Sequence, residues 1–137
     1  MRFEVLGPPQ GKSRPRVCFK AGRAWAYTPK DTRDYEAKIK KAARGGKKLS
    51  GNVWMRISAV FPIPKSATKS KREEMLSGRV RPTKKPDMDN IIKTIMDALN
   101  GIAYEDDKQV CEIHVEKIYG EIPKVMVEVR GIEYDKL

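Results

Sequence analysis

The sequence predicts a small α+β domain in which about four main strands form a mixed sheet and the helices pack against one face of it. Its length of 137 residues fits a single domain spanning residues 1–137. Segments with the two-residue period of strands are interspersed along the chain with segments that have helix caps and helical periodicity. No internal repeat or low-complexity linker divides the chain.

Alternating apolar and polar residues predict the strands. RFEVL near the N-terminus runs into GPPQG, whose prolines prevent further ladder pairing. NVWMRISAVFPIP alternates and ends at Pro62 and Pro64, and the residues predicted to share one face are Val53, Met55, Ile57, Ala59 and Phe61. QVCEIHVEKIY and KVMVEVRGI are predicted as two later strands joined across GEIP. Two short β-prone runs within residues 15–28 surround KAGR, which predicts a small hairpin that turns at Gly22.

Capping signals predict three helices. The first covers residues 31–44, with Asp31 or Thr32 as its N-cap and a Gly-Gly pair at its end. Ser70 followed by Glu73 has the spacing of a capping box, which predicts a short helix that closes at Gly78. The third covers residues 89–100, and its apolar stripe consists of Ile91, Ile92, Ile95 and Leu99.

The charge balance favours a polyanionic partner. With 29 Lys and Arg against 18 Asp and Glu, the formal net charge is +11, and cations that neutralise phosphates release condensed counterions. Two distant cysteines without a CxxC motif indicate neither a zinc site nor a disulfide framework. Without a signal-like or membrane-spanning stretch, we expect a cytoplasmic protein that binds nucleic acid and no membrane.

Four aspartates suggest where the chemistry lies. Asp87 and Asp89 stand where an extended segment enters a helix, and Asp106 and Asp107 precede a strand of the same sheet. We expect chain reversal after Gly101 to bring the two segments together. Three carboxylates converging in a basic protein suit Mg²⁺, which takes few carboxylates plus waters and phosphate oxygens. Such an ion polarises a phosphodiester and lowers the pKa of a bound water.

Structural roles for the same residues compete with this interpretation. Asp89 fits an N-cap, and Asp106 and Asp107 fit a turn. Lys93 either pairs with Asp89 or Asp97 on its helix or contacts the scissile phosphate and orients the attacking water. Two other kinds of site are excluded. A calcium loop is excluded because the later ligands do not follow DMDN. A cysteine nucleophile lacks a base, because the single histidine, His114, faces away from Cys111 in the strand pattern.

KPDMDNIIKTIMDALNG followed by YEDDKQV resembles the RusA family of Holliday-junction resolvases, whose signature is an Asp-x-Asp-Asn helix start, a helix lysine and a later Asp-Asp pair. The similarity is close over residues 84–110, and GPPQGKSRPR resembles the start of phage-type and prophage-type members. The resemblance implies a homodimeric, Mg²⁺-dependent endonuclease, with Mn²⁺ as a substitute and no organic cofactor. Such an enzyme resolves four-way DNA junctions by paired symmetric nicks during recombination and repair.

Carried over by motif, the essential acidic residues of the family fall on Asp87, Asp89 and Asp107, and its lysine falls on Lys93. Whether Asp106 takes the place of Asp107 stays open. Pro86 stands where some members have an arginine, so the role of that arginine does not transfer.

Basic segments punctuated by proline are expected to hold DNA phosphates. The predicted DNA-contacting residues are Lys12, Arg14, Arg16, Lys84 and Lys85. Two rival functions remain: a nucleic-acid-binding module without catalysis, in which the aspartates only cap and turn the chain, and an RNase or nonspecific nuclease. Dimerisation is expected because two coordinated cuts across a junction suit two symmetry-related sites.

Overall fold

The structure, a computed structural model, describes residues 1–133. This part of the chain folds into strands β1 Arg2–Leu6, β2 Arg16–Lys20, β3 Arg23–Tyr27, β4 Val53–Pro62, β5 Val110–Gly120 and β6 Lys124–Gly131, and helices α1 Lys30–Ala43, α2 Lys69–Leu76 and α3 Met88–Ala98. A single-turn 3₁₀ helix, Asp107–Gln109, precedes β5. The predicted α+β class is confirmed.

Four strands form the main sheet in the order β1-β6-β4-β5. β4 pairs in parallel with β5 and antiparallel with β6, and β6 pairs antiparallel with β1, so the sheet is mixed as predicted. β5 and β6 follow one another in sequence but do not pair, because β4 lies between them. The parallel β4–β5 pair requires a crossover connection, and α2 and α3 make it. α3 therefore runs antiparallel to both strands.

The hydrophobic core lies on one face of this sheet, under α1 and α3. Alternate residues of β4 face it as predicted, and all of them are buried: Val53, Met55, Ile57, Ala59 and Phe61. From α3, Ile91, Ile95 and Leu99 are fully buried, whereas Ile92 is only half-buried. Each such side chain contributes about 1.5–3 kcal/mol by leaving water, so this core fixes the rotation of α3. α2 has no buried residue and lies beside β5.

Two predicted helix starts are wrong. α1 begins after Pro29, and its N-cap makes no side-chain hydrogen bond. Thr32 is buried instead, where its hydroxyl accepts a hydrogen bond from the Ser13 amide at 3.1 Å. α2 begins after Thr68, whose hydroxyl accepts from the Lys71 amide at 3.2 Å. The expected Ser70–Glu73 capping box therefore does not form, because the helix starts two residues earlier.

β2 and β3 form the predicted hairpin as a separate two-stranded ribbon. Ala21 and Gly22 make its turn with φ of 52° and 72°, which is the positive-φ geometry that suits the twist of a two-residue hairpin. Cys18 is half-buried, and the other side chains of both strands are exposed. Among the described helices, none is long and apolar enough to cross a membrane.

Candidate active site

Two exposed carboxylates mark the start of α3. Asp87 occupies the N-cap position but makes no side-chain cap hydrogen bond, and Asp89 lies in the first helical turn. The proposed N-cap role for Asp89 is therefore wrong. Within residues 1–133 neither carboxylate forms an ion pair. The positive end of the helix dipole favours negative charge, so both carboxylates are electrostatically favourable at this position.

Asn90 attaches the N-terminal loop to this helix start. Its side-chain oxygen accepts a hydrogen bond from the Lys12 amide at 3.0 Å, and its side-chain nitrogen donates to the Lys12 carbonyl at 3.3 Å. Gly11 makes this approach possible, because a Cβ there would overlap the Asn90 amide and lie 3.0 Å from the Pro86 Cβ. The sequence did not predict these two hydrogen bonds; the one signal for them was the asparagine that follows the Asp-x-Asp pair.

The docked loop and the segment before α3 enclose a groove of about 520 Å³. Asp87 lines it together with three of the predicted DNA-contacting residues, Lys12, Arg14 and Lys85. The adjoining Lys84 carbonyl accepts a hydrogen bond from the Lys117 ammonium at 2.7 Å, which ties this basic segment to β5. The groove thus brings the basic residues Arg14 and Lys85 beside the acidic residue Asp87.

Lys12 is engaged within the protein. Its ammonium donates to Asp97 at 3.1 Å and lies 3.5 Å from Glu36, and its side chain is 27% exposed. The hydrogen bond to Asp97 is the largest cause of a raised Lys12 pKa, which burial partly opposes. Asp97 therefore pairs with Lys12 rather than with Lys93. Lys12 thus links the loop to α1 and α3, and because it also lines the groove, its contact with DNA stays a prediction.

The two later aspartates differ in what they bind. Asp106 caps the 3₁₀ turn, where its side chain accepts from the Lys108 amide at 2.9 Å and Gln109 completes a capping box. The turn role is thus correct for Asp106. Asp107 instead uses its backbone, whose amide donates to the Asn100 side chain at 2.8 Å. Among residues 1–133 the half-buried carboxylate of Asp107 has no hydrogen-bond partner, whereas that of Asp106 is used as a cap, which favours Asp107 over Asp106 as the site residue.

The expected convergence of Asp87, Asp89 and Asp107 within one chain is wrong. No group of three Asp, Glu, His or Cys side chains in residues 1–133 is placed to hold a metal. α3 has 11 residues and is therefore about 16 Å long. Asp87 and Asp89 lie at its N-terminal end. Asp107 lies beyond its C-terminal end, where its amide is hydrogen-bonded to Asn100. The chain reverses after Gly101, but Asp107 stays near the C-terminal end of α3 because β5 starts beside the start of β4.

The residues are instead arranged along the helix. Exposed Lys93 lies one turn after Asp89 and about two turns before Asn100, to which Asp107 is bonded. A lysine thus separates a pair of carboxylates from a third. Mg²⁺ is usually held by one or two protein carboxylates plus waters and phosphate oxygens, and exposed Asp87 and Asp89 fit that donor set.

Sequence comparison gives these residues a context. Residues 7–130 match the family described as Endodeoxyribonuclease RusA. The chain is also 36% identical over 137 residues to YqaN of Bacillus subtilis strain 168, and the match covers 96% of each chain. YqaN is itself described as an uncharacterized protein.

Proposed function

The chain therefore belongs to the RusA endodeoxyribonuclease family, and from that membership we propose a Mg²⁺-dependent enzyme that resolves four-way DNA junctions by paired symmetric nicks. The observation that supports this most is the pair of exposed carboxylates, Asp87 and Asp89, at the positive end of α3, which have no ion-pair partner among residues 1–133. Asp87 lines a groove that Arg14 and Lys85 also line, and Asp89 lies two residues further along the chain. One residue proposed to bind the metal and two residues proposed to contact the DNA backbone therefore line the same groove.

Asp87 and Asp89 are the residues proposed to hold Mg²⁺, which the family membership implies. When bound, the ion supplies Lewis-acid polarisation of the phosphodiester and lowers the pKa of a water. Mn²⁺, with a similar preference for oxygen ligands, is proposed as a substitute. The two carboxylates would hold that ion at the N-terminal end of α3, where the helix dipole offsets part of their mutual repulsion.

Lys93 and Asp107 extend the proposed site along α3. Lys93, one turn beyond Asp89, is proposed to contact the scissile phosphate and to stabilise charge that builds on it during cleavage. Asp107 is proposed as the third essential acidic residue, acting at the far end of the same helix.

Arg14, Arg16, Lys84 and Lys85 are proposed to contact DNA phosphates around the groove, with Lys12 positioning the loop that carries Arg14. Replacing Lys85 with glutamine is expected to weaken binding of a four-way junction. It is also expected to reduce the slope of the logarithm of the binding constant against the logarithm of the salt concentration by about one. Fluorescence anisotropy over a series of salt concentrations measures both. Lys41→Gln, an exposed lysine in the last turn of α1, is the control, and an equal change in its slope would contradict the assignment.

The direct test of the function is a synthetic four-way junction incubated with the protein, with and without Mg²⁺ and chelator. We expect symmetric nicks in two strands of like polarity, formed only with the metal, and far slower cutting of linear duplex and RNA. Binding without nicks under every metal condition would favour a non-catalytic binding module. Equal cutting of all substrates would favour a nonspecific nuclease.

A homodimer is proposed because two nicks related by symmetry are most simply made by two sites related by symmetry. Sedimentation at the concentration of the cleavage assay is expected to give about twice the chain mass of 15.6 kDa. A purely monomeric species that resolves junctions at the full rate would contradict this proposal without affecting the chemistry assigned to α3.

A further inference from the structure

The ribbon formed by β2 and β3 has two chemically different faces. Side chains of a strand alternate between faces, and the register pairs Arg16 with Tyr27, Cys18 with Trp25 and Lys20 with Arg23. These six side chains share one face, called here the Trp25 face. The opposite face carries only apolar side chains: Val17, Phe19, Ala24 and Ala26.

The Trp25 face combines aromatic rings with positive charge. Trp25 is 45% exposed and Tyr27 43% exposed, although both are residue types that usually bury most of their surface. They are two residues apart on one strand, which separates them by about 7 Å. Three cations share this face, and residues 11–30 contain six Lys or Arg and no Asp or Glu. Such a surface is complementary to a polyanion that also carries planar aromatic rings.

The ribbon starts at the candidate active site. Arg14 lines the groove that contains Asp87, and β2 begins two residues later at Arg16. The loop before it is fixed to α3 by Asn90 and to α1 by the bond between Ser13 and Thr32. A nucleic-acid strand that occupies the groove therefore has the root of the ribbon directly beside it.

We propose that the Trp25 face binds unstacked bases of the DNA strand that enters the groove. Trp25 and Tyr27 stack on successive bases while Arg16, Lys20 and Arg23 pair with the intervening phosphates. The proposal rests on DNA being the substrate, as the proposed function holds. A base reaches an aromatic ring only after leaving the helical stack, so this face selects single-stranded and branched DNA over intact duplex.

The test uses Asp89→Asn protein, so that no strand is cut, and a labelled thymidine oligonucleotide of about 12 nucleotides, a typical site size. Adding Trp25→Ala is expected to weaken binding of the oligonucleotide about tenfold or more, since base–aromatic stacking is of that size. Trp25→Phe, which keeps an aromatic ring, is expected to restore most of the affinity. Phe19→Ala is the matched control on the opposite face, at a side chain 78% exposed, and is expected to change affinity by less than about twofold.

Unchanged affinity in Trp25→Ala would overturn the proposal. So would equal losses in Trp25→Ala and Phe19→Ala, because these would assign the effect to the ribbon as a whole or to its apolar face. Cleavage of a four-way junction by otherwise unaltered protein separates this proposal from the proposed function. Trp25-dependent binding without any cleavage would refute the nuclease and support the ribbon site, and cleavage with Trp25-independent binding would do the reverse.

Discussion

Replacing Asp89 with asparagine is expected to abolish junction cleavage while leaving junction binding intact. Asparagine keeps the shape of the side chain but removes the charge that would hold a divalent cation. A bound metal contributes several kcal/mol of transition-state stabilisation, and each 1.36 kcal/mol changes the rate tenfold. We therefore expect a loss of about 10³-fold or more in the single-turnover rate with Mg²⁺ saturating.

The control for this substitution is Asp31→Asn. Asp31 is also exposed and also lies in the first turn of a helix, so its loss removes a comparable interaction with a helix dipole, about 0.3–1 kcal/mol. Asp31→Asn is expected to cleave at the normal rate. Retention of more than about a tenth of the activity by Asp89→Asn, a deficit of under 1.4 kcal/mol, would contradict its proposed role in metal binding.

Replacing Gly11 with alanine is expected to release the N-terminal loop from α3. The added methyl group would overlap the Asn90 side chain and crowd Pro86. Overpacking of this kind costs about 1–3 kcal/mol, and the shift would break the two hydrogen bonds between Asn90 and the Lys12 backbone. Because Arg14 reaches the groove through this loop, we expect a lower melting temperature and a loss in cleavage rate of about tenfold or more.

Gly131→Ala is the matched control, since among the described residues a Cβ there meets only Leu49 Cδ2, at an ordinary 3.9 Å. It is expected to leave both the melting temperature and the cleavage rate near their normal values. Thermal unfolding followed by circular dichroism gives the first quantity, and a gel assay of nicked junction gives the second. If Gly11→Ala behaves like Gly131→Ala in both measurements, the loop does not depend on its contact with Asn90.

Local patterns in the sequence were enough to predict the elements. The two-residue period of residues 53–61 predicted the buried face of β4, because side-chain alternation is a property of any extended strand. Gly22 predicted the hairpin, because its turn needs positive φ. The Asp-x-Asp-Asn start, the helix lysine and the Asp-Asp pair carried the resemblance to the RusA family, and the match over residues 7–130 confirms that membership.

Only the tertiary structure decided how the acidic residues are placed. The sequence contains Asp87, Asp89 and Asp107, but their separation depends on β5 running parallel to β4, which makes α3 a spacer between the two groups. Strand direction is set by packing and pairing across the whole sheet, so no local pattern reveals it. The contacts of Lys12 with Asn90 and Asp97 span 78 and 85 residues of sequence. Because each of them joins elements that meet only in the folded chain, the assignment of Lys12 to holding the loop came from the structure.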